Sequence, residues 1–278
     1  VMVFRGPKGK LSARPSATFD AAKAKKLGFE LQTRGKRSFL RFDPFAGLKT
    51  QARYPSKRRT LAHFTAPKKG RVKVAFFDAD STLRVAPSGS PTADHAGDVR
   101  LLPGVAKKVK EMASKGYLIA IVSNQGGVEA GFINHAIAEG ALRNTCRLLA
   151  AAGAPVHYFD YAAGRDANRK PKAGMGLRLA KKIGKRYGKQ IDWRRSIMVG
   201  DAGYKRGVDT RPDGKPGDDF SNSDRRFAES LRKSRKSPQG MTFHHPREFF
   251  GWGKKGIQGF HNAKDLNTFL KGALKTSY

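Results

Sequence analysis

An α/β fold, with a doubly wound parallel sheet and helices on both faces, is the class this sequence predicts, and three observations predict it. Apolar runs of strand length alternate with helical stretches from about residue 71 onward. The clearest run, Val74-Ala75-Phe76-Phe77, is apolar at every position, as in a strand buried on both faces. Polar residues follow such runs directly, at the strand ends where open α/β sheets bind their ligands.

Residues 1–70 stand apart as a basic N-terminal extension. They hold 18 Lys+Arg against three acids, Asp20, Glu30 and Asp43, with Phe residues interleaved. Thr18 or Asp20 can cap a short helix reaching Lys26. Phe29 to Phe42 reads as a hairpin around Gly35-Lys36. Basic groups with aromatics can hold phosphates and stack on bases, or the Phe residues can dock the arm on the main domain.

Residues 71–278 form the second domain. After the strand at Val74–Phe77, Pro103 opens a helix with Val105, Val109 and Met112 on one face and Gly116 closing it. Tyr117–Val122 is a second apolar strand. Glu129–Ala152 reads as one long helix with Phe132, Ile133, Ile137, Leu142, Cys146 and Leu149 on a stripe, stopped by Gly153. Val156–Tyr161 is a third strand, Met175–Tyr187 a helix, Ser196–Val199 a fourth strand. Ser223–Leu231 is a short helix, Met241–Phe243 a fifth strand, and Asp265–Lys275 a closing helix.

The 278 residues carry 56 Lys+Arg against 22 Asp+Glu, a formal charge of +34. That excess points to a polyanionic partner: nucleic acid first, an anionic membrane surface second. Cys146 is the sole cysteine, which excludes an intrachain disulfide framework or Cys-based zinc site and suggests a buried thiol. No apolar run is long enough to span a bilayer, and Val1 to Lys10 lacks an apolar signal core, so an intracellular protein without a membrane role is expected. Oligomeric state is not legible; a monomer is compatible with everything above. The string G-x-x-x-x-G-K-[ST] does not occur.

Four polar groups fall at strand ends. Asp78 and Asp80 end the first strand; Ser123-Asn124-Gln125-Gly126-Gly127 ends the second; Arg169-Lys170-Pro171 follows the third; Gly200-Asp201 follows the fourth. Each has a plain alternative as a cap or surface charge. Together, in a parallel sheet, they converge on one edge. Carboxylates there suit a hard divalent cation such as Mg2+. A hydroxyl, a lysine and glycine-rich amides suit a phosphate. The chemistry implied is phosphoryl transfer, with a carboxylate nucleophile as one option.

This set resembles the four motifs of the haloacid dehalogenase (HAD) phosphatase superfamily, over roughly residues 71–250, and implies its Rossmann-type sheet. The S-N-Q-x-G and R-K-P forms resemble the branch holding histidinol-phosphate phosphatase, heptose-bisphosphate phosphatase and polynucleotide kinase 3'-phosphatase. Asp219-Phe220-Ser221 with Asp224-Arg225-Arg226-Phe227-Ala228, and Pro246-Arg247-Glu248-Phe249-Phe250, resemble strings of the polynucleotide 3'-phosphatases.

The resemblance implies roles. Asp78 would be the nucleophile, and Asp80 the acid that protonates the leaving oxygen and then activates water. Ser123 and Lys170 would hold the phosphoryl oxygens. Asp201 would bind Mg2+ with Asp78 and the main-chain carbonyl of Asp80, supported by Asp219 or Asp224. Asn124, Gln125, Gly126 and Arg169 are candidates for substrate contact. Thr82, also a candidate, more naturally orders its loop. Arg84, Arg206, Arg225, Arg226 and the Arg232–Lys236 cluster are candidates to track a phosphate backbone.

Departures narrow the reading. Tyr161 to Asn168 has no Cys or His, so the zinc loop of the sugar phosphatases is missing. Ser81 stands where the family has Gly. Tyr204–Gly217 reads as a flexible loop at the rim. Asp80 and Tyr117 are only 37 positions apart, leaving no room for a large cap. His244, His245 and His261 lack metal spacing, and Trp193 and Trp252 suit packing better than base stacking. The expected function is a Mg2+-dependent polynucleotide 3'-phosphatase in DNA end repair, its partner a nucleic acid with a phosphorylated 3' end. The alternatives are a small-molecule phosphatase of the same branch and a basic ribonucleoprotein scaffold that keeps the fold.

Overall fold

In the computed structural model the chain divides into two compact units, residues 1–51 and 52–278. The structure describes the strands of the first unit and, in the second, residues 54–203, 221–232 and 241–252. The expected helix ending at Lys26, the Tyr204–Gly217 loop, Arg206, Asp219, residues 233–236, His261 and the helix expected at Asp265–Lys275 lie outside the described residues.

The first unit contains β1 (Met2–Arg5), β2 (Leu11–Arg14), β3 (Phe29–Arg34) and β4 (Arg37–Phe42) in an antiparallel sheet of order β1-β2-β4-β3. The expected hairpin is present, with Arg34 opposite Arg37 and Phe29 opposite Phe42.

In the second unit, β5 (Lys73–Phe77), β8 (Tyr117–Asn124), β9 (Tyr158–Ala162), β10 (Ile197–Val199) and β11 (Thr242–His244) form one sheet of order β11-β10-β5-β8-β9. Every pairing in it is parallel. Because successive strand residues point to opposite faces, Ala75, Phe77, Ile119 and Ile121 pack on one side. There they meet α1 (Val105–Ser114) and α3 (His135–Ala151) through Val109, Leu142, Cys146 and Leu149. On the other side Val74, Phe76, Leu118 and Ala120 meet Leu179 and Ile183 of α4 (Gly174–Tyr187) and Phe227 of α5 (Ser223–Arg232). The doubly wound class is thus the observed one. Cys146 is buried, as expected.

The long helix expected at Glu129–Ala152 is two. A short α2 (Gly126–Glu129) ends, Gly131 turns at φ 76, and Asn134 starts α3 by accepting from Ile137 N at 2.9 Å. A glycine able to adopt a left-handed φ and a strong N-cap compete with helix continuation. Phe132, expected on the buried stripe, falls in this break and is 85% exposed. The first crossover helix starts at Val105, two residues after Pro103.

Between β5 and α1 lies only the two-residue ladder of β6 (Arg84–Val85) with β7 (Arg100–Leu101), so no large cap is inserted there. The segment 54–66, read from the sequence as part of the extension, belongs to the second unit and packs on its sheet. Arg59 N donates to Phe159 O and Ala62 N to His157 O, both at 2.9 Å, and Phe64 is buried. This strap covers edge strand β9. Among the described residues no helix is long and apolar enough to cross a membrane.

Candidate active site

The order β10-β5-β8 places the ends of β5 and β10 side by side where the chain's winding reverses, the position at which α/β sheets leave a crevice. Asp78 N donates to Val199 O at 2.9 Å, which fixes the first acid against the fourth strand. Beyond it the chain turns sharply: Ser81 has φ 56, and its N donates to Arg84 O at 2.8 Å. Thr82 is fully buried and its Oγ1 accepts from Asp201 N at 3.1 Å, joining the two acidic loops.

Lys170 Nζ lies 2.5 Å from Asp78 Oδ1 and 2.6 Å from Asp224 Oδ1, and all three residues are buried. Asn124 holds the lysine's backbone at two points, accepting from Lys170 N at 2.9 Å and donating to Lys170 O at 3.0 Å. Asp224, in the first turn of α5, accepts from Ala202 N through Oδ2 at 3.1 Å. Gly200 passes so close that a Cβ there would stand 2.2 Å from Asp224 Oδ2.

Burial pushes the Asp78 carboxyl up to about 7; Lys170 pulls it down, and Asp224 and Asp80 repel it upward. Burial alone would depress Lys170, but Asp224 and Asp78 hold it above the ordinary lysine value. One carboxylate oxygen from each of Asp78, Asp201 and Asp224 falls within 4.8 Å of the others.

Asp80 has different partners. Its Oδ1 accepts from Arg84 Nε at 2.9 Å and its Oδ2 from Gln125 Nε2 at 2.8 Å. The same Gln125 nitrogen donates to Ser123 Oγ at 2.9 Å, so one amide ties the hydroxyl to the second acid. Arg84 Nη1 donates to Thr145 Oγ1 of α3 at 3.0 Å. A cavity of about 610 Å3 opens over these groups, lined by Asp78, Asp80, Ser123, Asn124, Arg169, Lys170, Asp201 and Asp224.

The structure therefore gathers Asp78, Asp80, Ser123, Lys170, Asp201, Asn124 and Arg169, and it corrects others. Arg84 is fully buried against Asp80 and Thr145, so it cannot track a phosphate backbone from the surface. Thr82 and Gln125 are buried and do not line the cavity: Thr82 holds the Asp201 backbone, and Gln125 the Asp80 and Ser123 side chains. Gly126 gives Arg169 its space: a Cβ there would stand 3.2 Å from Arg169 Nη1. Arg225 lies over the Phe243 ring and donates from Nε to Gly203 O at 2.5 Å, outside the cavity wall. Of the two acids left open, Asp224 is in the site.

His245, Arg247 and Trp252 also line the cavity and were not among the sequence candidates. They follow β11, whose end lies on the same sheet edge; that position was the available signal. Trp193 stacks on Phe76 in the core.

A buried lysine between two carboxylates, beside a hydroxyl and a third acid, at this edge of such a sheet, is the constellation of the HAD phosphatases, and this protein is a phosphatase of that class. Comparison with known sequences narrows the class. The chain belongs to the polynucleotide kinase 3 phosphatase family, which it matches over residues 73–250. It is 31% identical over 179 residues to the uncharacterized 20.8 kDa protein in the FGF-VUBI intergenic region of Autographa californica nuclear polyhedrosis virus, covering 64% of this chain and 86% of that protein. It is 28% identical over 117 residues to D-glycero-beta-D-manno-heptose-1,7-bisphosphate 7-phosphatase of Pseudomonas aeruginosa, covering 40% of this chain and 64% of that protein. A structure of D,D-heptose 1,7-bisphosphate phosphatase from B. bronchiseptica, complexed with magnesium and phosphate, aligns with a TM-score of 0.41 and 19% identity, over 62% of this chain and 92% of that one.

Proposed function

We propose that this protein is a Mg2+-dependent polynucleotide 3'-phosphatase acting on DNA ends. One observation carries the reading: beside the Asp78–Lys170 pair, Arg169 lines the cavity with a buried Nη1 that has no hydrogen-bond partner among the described residues. A buried unpartnered guanidinium N–H calls for an anion. A substrate with a phosphodiester next to its terminal phosphate would supply one. A crevice with no large cap inserted between β5 and α1, and the +34 charge, suit a polymer end.

The donor set fits Mg2+. Asp78, Asp201 and Asp224 offer hard oxygens within 4.8 Å of one another, the ligand chemistry of a small divalent cation. These three acids would hold the ion, which when bound would neutralise charge developing on the phosphoryl oxygens.

In the first step an Asp78 carboxylate oxygen bonds to phosphorus while the bond to the 3' oxygen breaks, and a proton from Asp80 goes to that oxygen. In the second, water adds to phosphorus, the Asp78–phosphorus bond breaks, and Asp80 takes the water's proton. Lys170 and Ser123 hold the phosphoryl oxygens. Gln125 and Arg84 keep Asp80 in one orientation throughout.

A second reading, a sugar phosphatase, is favoured by the heptose-bisphosphate phosphatase relatives. Phosphate release from a 3'-phosphorylated oligonucleotide with Mg2+, beside heptose and histidinol phosphates, separates the two. Turnover of the oligonucleotide is expected, and turnover of the small phosphates alone would sink the first reading. Asp78→Asn should abolish release; surviving activity would remove Asp78 as nucleophile.

A further inference from the structure

Asp160 on β9 is fully buried, yet it holds three arginines. Arg58 Nε and Arg59 Nε donate to its Oδ1 at 2.8 Å each, and Arg178 Nη1 to its Oδ2 at 2.6 Å. One carboxylate fixes three guanidinium groups and leaves two positive charges over. Holding like charges together costs free energy, so a purely structural pin needs one arginine, not three.

Two further observations point outward. Arg59 is one of only two non-glycine residues at positive φ among the described residues, at 61°; the other is Ser81 in the catalytic turn. A side chain held there is strained, and such strain collects at functional sites. Arg59 is also the most exposed of the three, at 35%, and beyond Asp160 its side chain has no other partner among the described residues. Next to it, α4 carries Arg178, Lys181, Lys182, Lys185 and Arg186 and no acid.

The cluster adjoins the catalytic lysine. Arg178 also donates to Asn168 Oδ1, two residues before Lys170. Asp160 pairs in register with Val122, one residue before Ser123.

We infer that Arg59, with Arg58 and Arg178 on Asp160 and the basic face of α4, forms a secondary site for the sugar-phosphate backbone of the strand whose 3' end occupies the cavity. The inference rests on the polynucleotide reading of the active site. Asp160 preorganises the Arg59 guanidinium, so its remaining N–H donors meet phosphates at little ordering cost, while Arg58 on Tyr161 O and Arg178 on Asn168 Oδ1 add positive charge around it. Lys181 and Lys185 extend the track along the helix.

The test uses a labelled single-stranded DNA oligonucleotide with a 3'-phosphate, bound to the full chain in EDTA across a salt series. Arg59→Gln should weaken binding roughly fivefold and lower the salt slope by about 0.7. Its hydrolysis of a small aryl phosphate should be unchanged. Lys181→Gln with Lys185→Gln, both exposed, provides the same readout if Arg59→Gln does not fold. Unchanged affinity and slope in the folded variants would overturn the inference, as would losses confined to anionic vesicles. Wild-type protein that binds the oligonucleotide with this salt dependence but releases no phosphate would refute the 3'-phosphatase reading and leave the binding site standing. Release by wild type with unweakened variants would do the reverse.

Discussion

Replacing Lys170 by Met tests the electrostatics of the site most directly. The ammonium sits 2.5 Å from Asp78 and 2.6 Å from Asp224 with 1% of its side chain exposed, and Asp224 is as deeply buried, so that carboxylate cannot turn to water in its place. Removing one partner of a buried pair costs about 3–5 kcal/mol, because the remaining charges stay buried and uncompensated. In EDTA, Lys170→Met should therefore lower Tm by roughly 10 °C for a domain of this size. Mg2+ would restore part of that loss, since Asp78, Asp201 and Asp224 would then share the ion's charge. Activity should not return with it. The lysine's contact with the phosphoryl oxygens is a separate contribution, and its loss costs about 100- to 1,000-fold in kcat, as for other preorganised donors. Thermal melts with EDTA and with Mg2+, beside phosphate release, read both. An unchanged Tm in EDTA would refute the argument that Lys170 compensates the carboxylates. Full activity with Mg2+ would refute its role on the phosphoryl group.

Gly200→Ala would put a methyl 2.2 Å from Asp224 Oδ2, so either the α5 end or the β10 end must move; a loss of about 1–3 kcal/mol and a fall in Mg2+ affinity are expected from melts and metal titration. A variant as stable and as tight as wild type would place the two loops farther apart than described. His157 supplies a pH dependence. Burial, with His63 adding, depresses it to about 4, and its Nδ1 accepts from Ile119 N at 2.9 Å. The unfolded chain takes up that proton near 6.5 and the folded chain does not, so stability is full above about 6.5 and falls by about 3 kcal/mol as pH drops to 4. Denaturant midpoints for wild type and His157→Asn across this range should converge toward acid; parallel curves would assign the acid loss to other groups.

Legibility in the sequence followed the range of the interactions. Val74–Phe77 and Tyr117–Val122 were readable as strands because burial on both faces demands unbroken apolar runs. The convergence of Asp78, Ser123, Lys170 and Asp201 was readable because a parallel sheet sends every strand end to one edge. The break at Gly131 and Asn134 was local too, but a helical stripe hid it. Arg84 was misjudged because its Asp80 and Thr145 partners close around it only once the turn at Ser81 and α3 are in place. His245, Arg247 and Trp252 reach the cavity from just past β11, far along the chain; their place at a strand end was the signal, and only the sheet order shows that this end meets the site.

The sequence by itself determined the class of chemistry: which residue types stand at strand ends, in what order, with a strongly basic chain around them. Only the tertiary structure decided their partners. Asp224 faces Lys170, Arg84 turns inward to Asp80, and Asp160 gathers three arginines from two distant segments. The reason is physical. Strand and helix periodicity is set by neighbours along the chain, whereas the pairing of a buried charge is settled by which opposite charge the packed core leaves within about 3 Å of it.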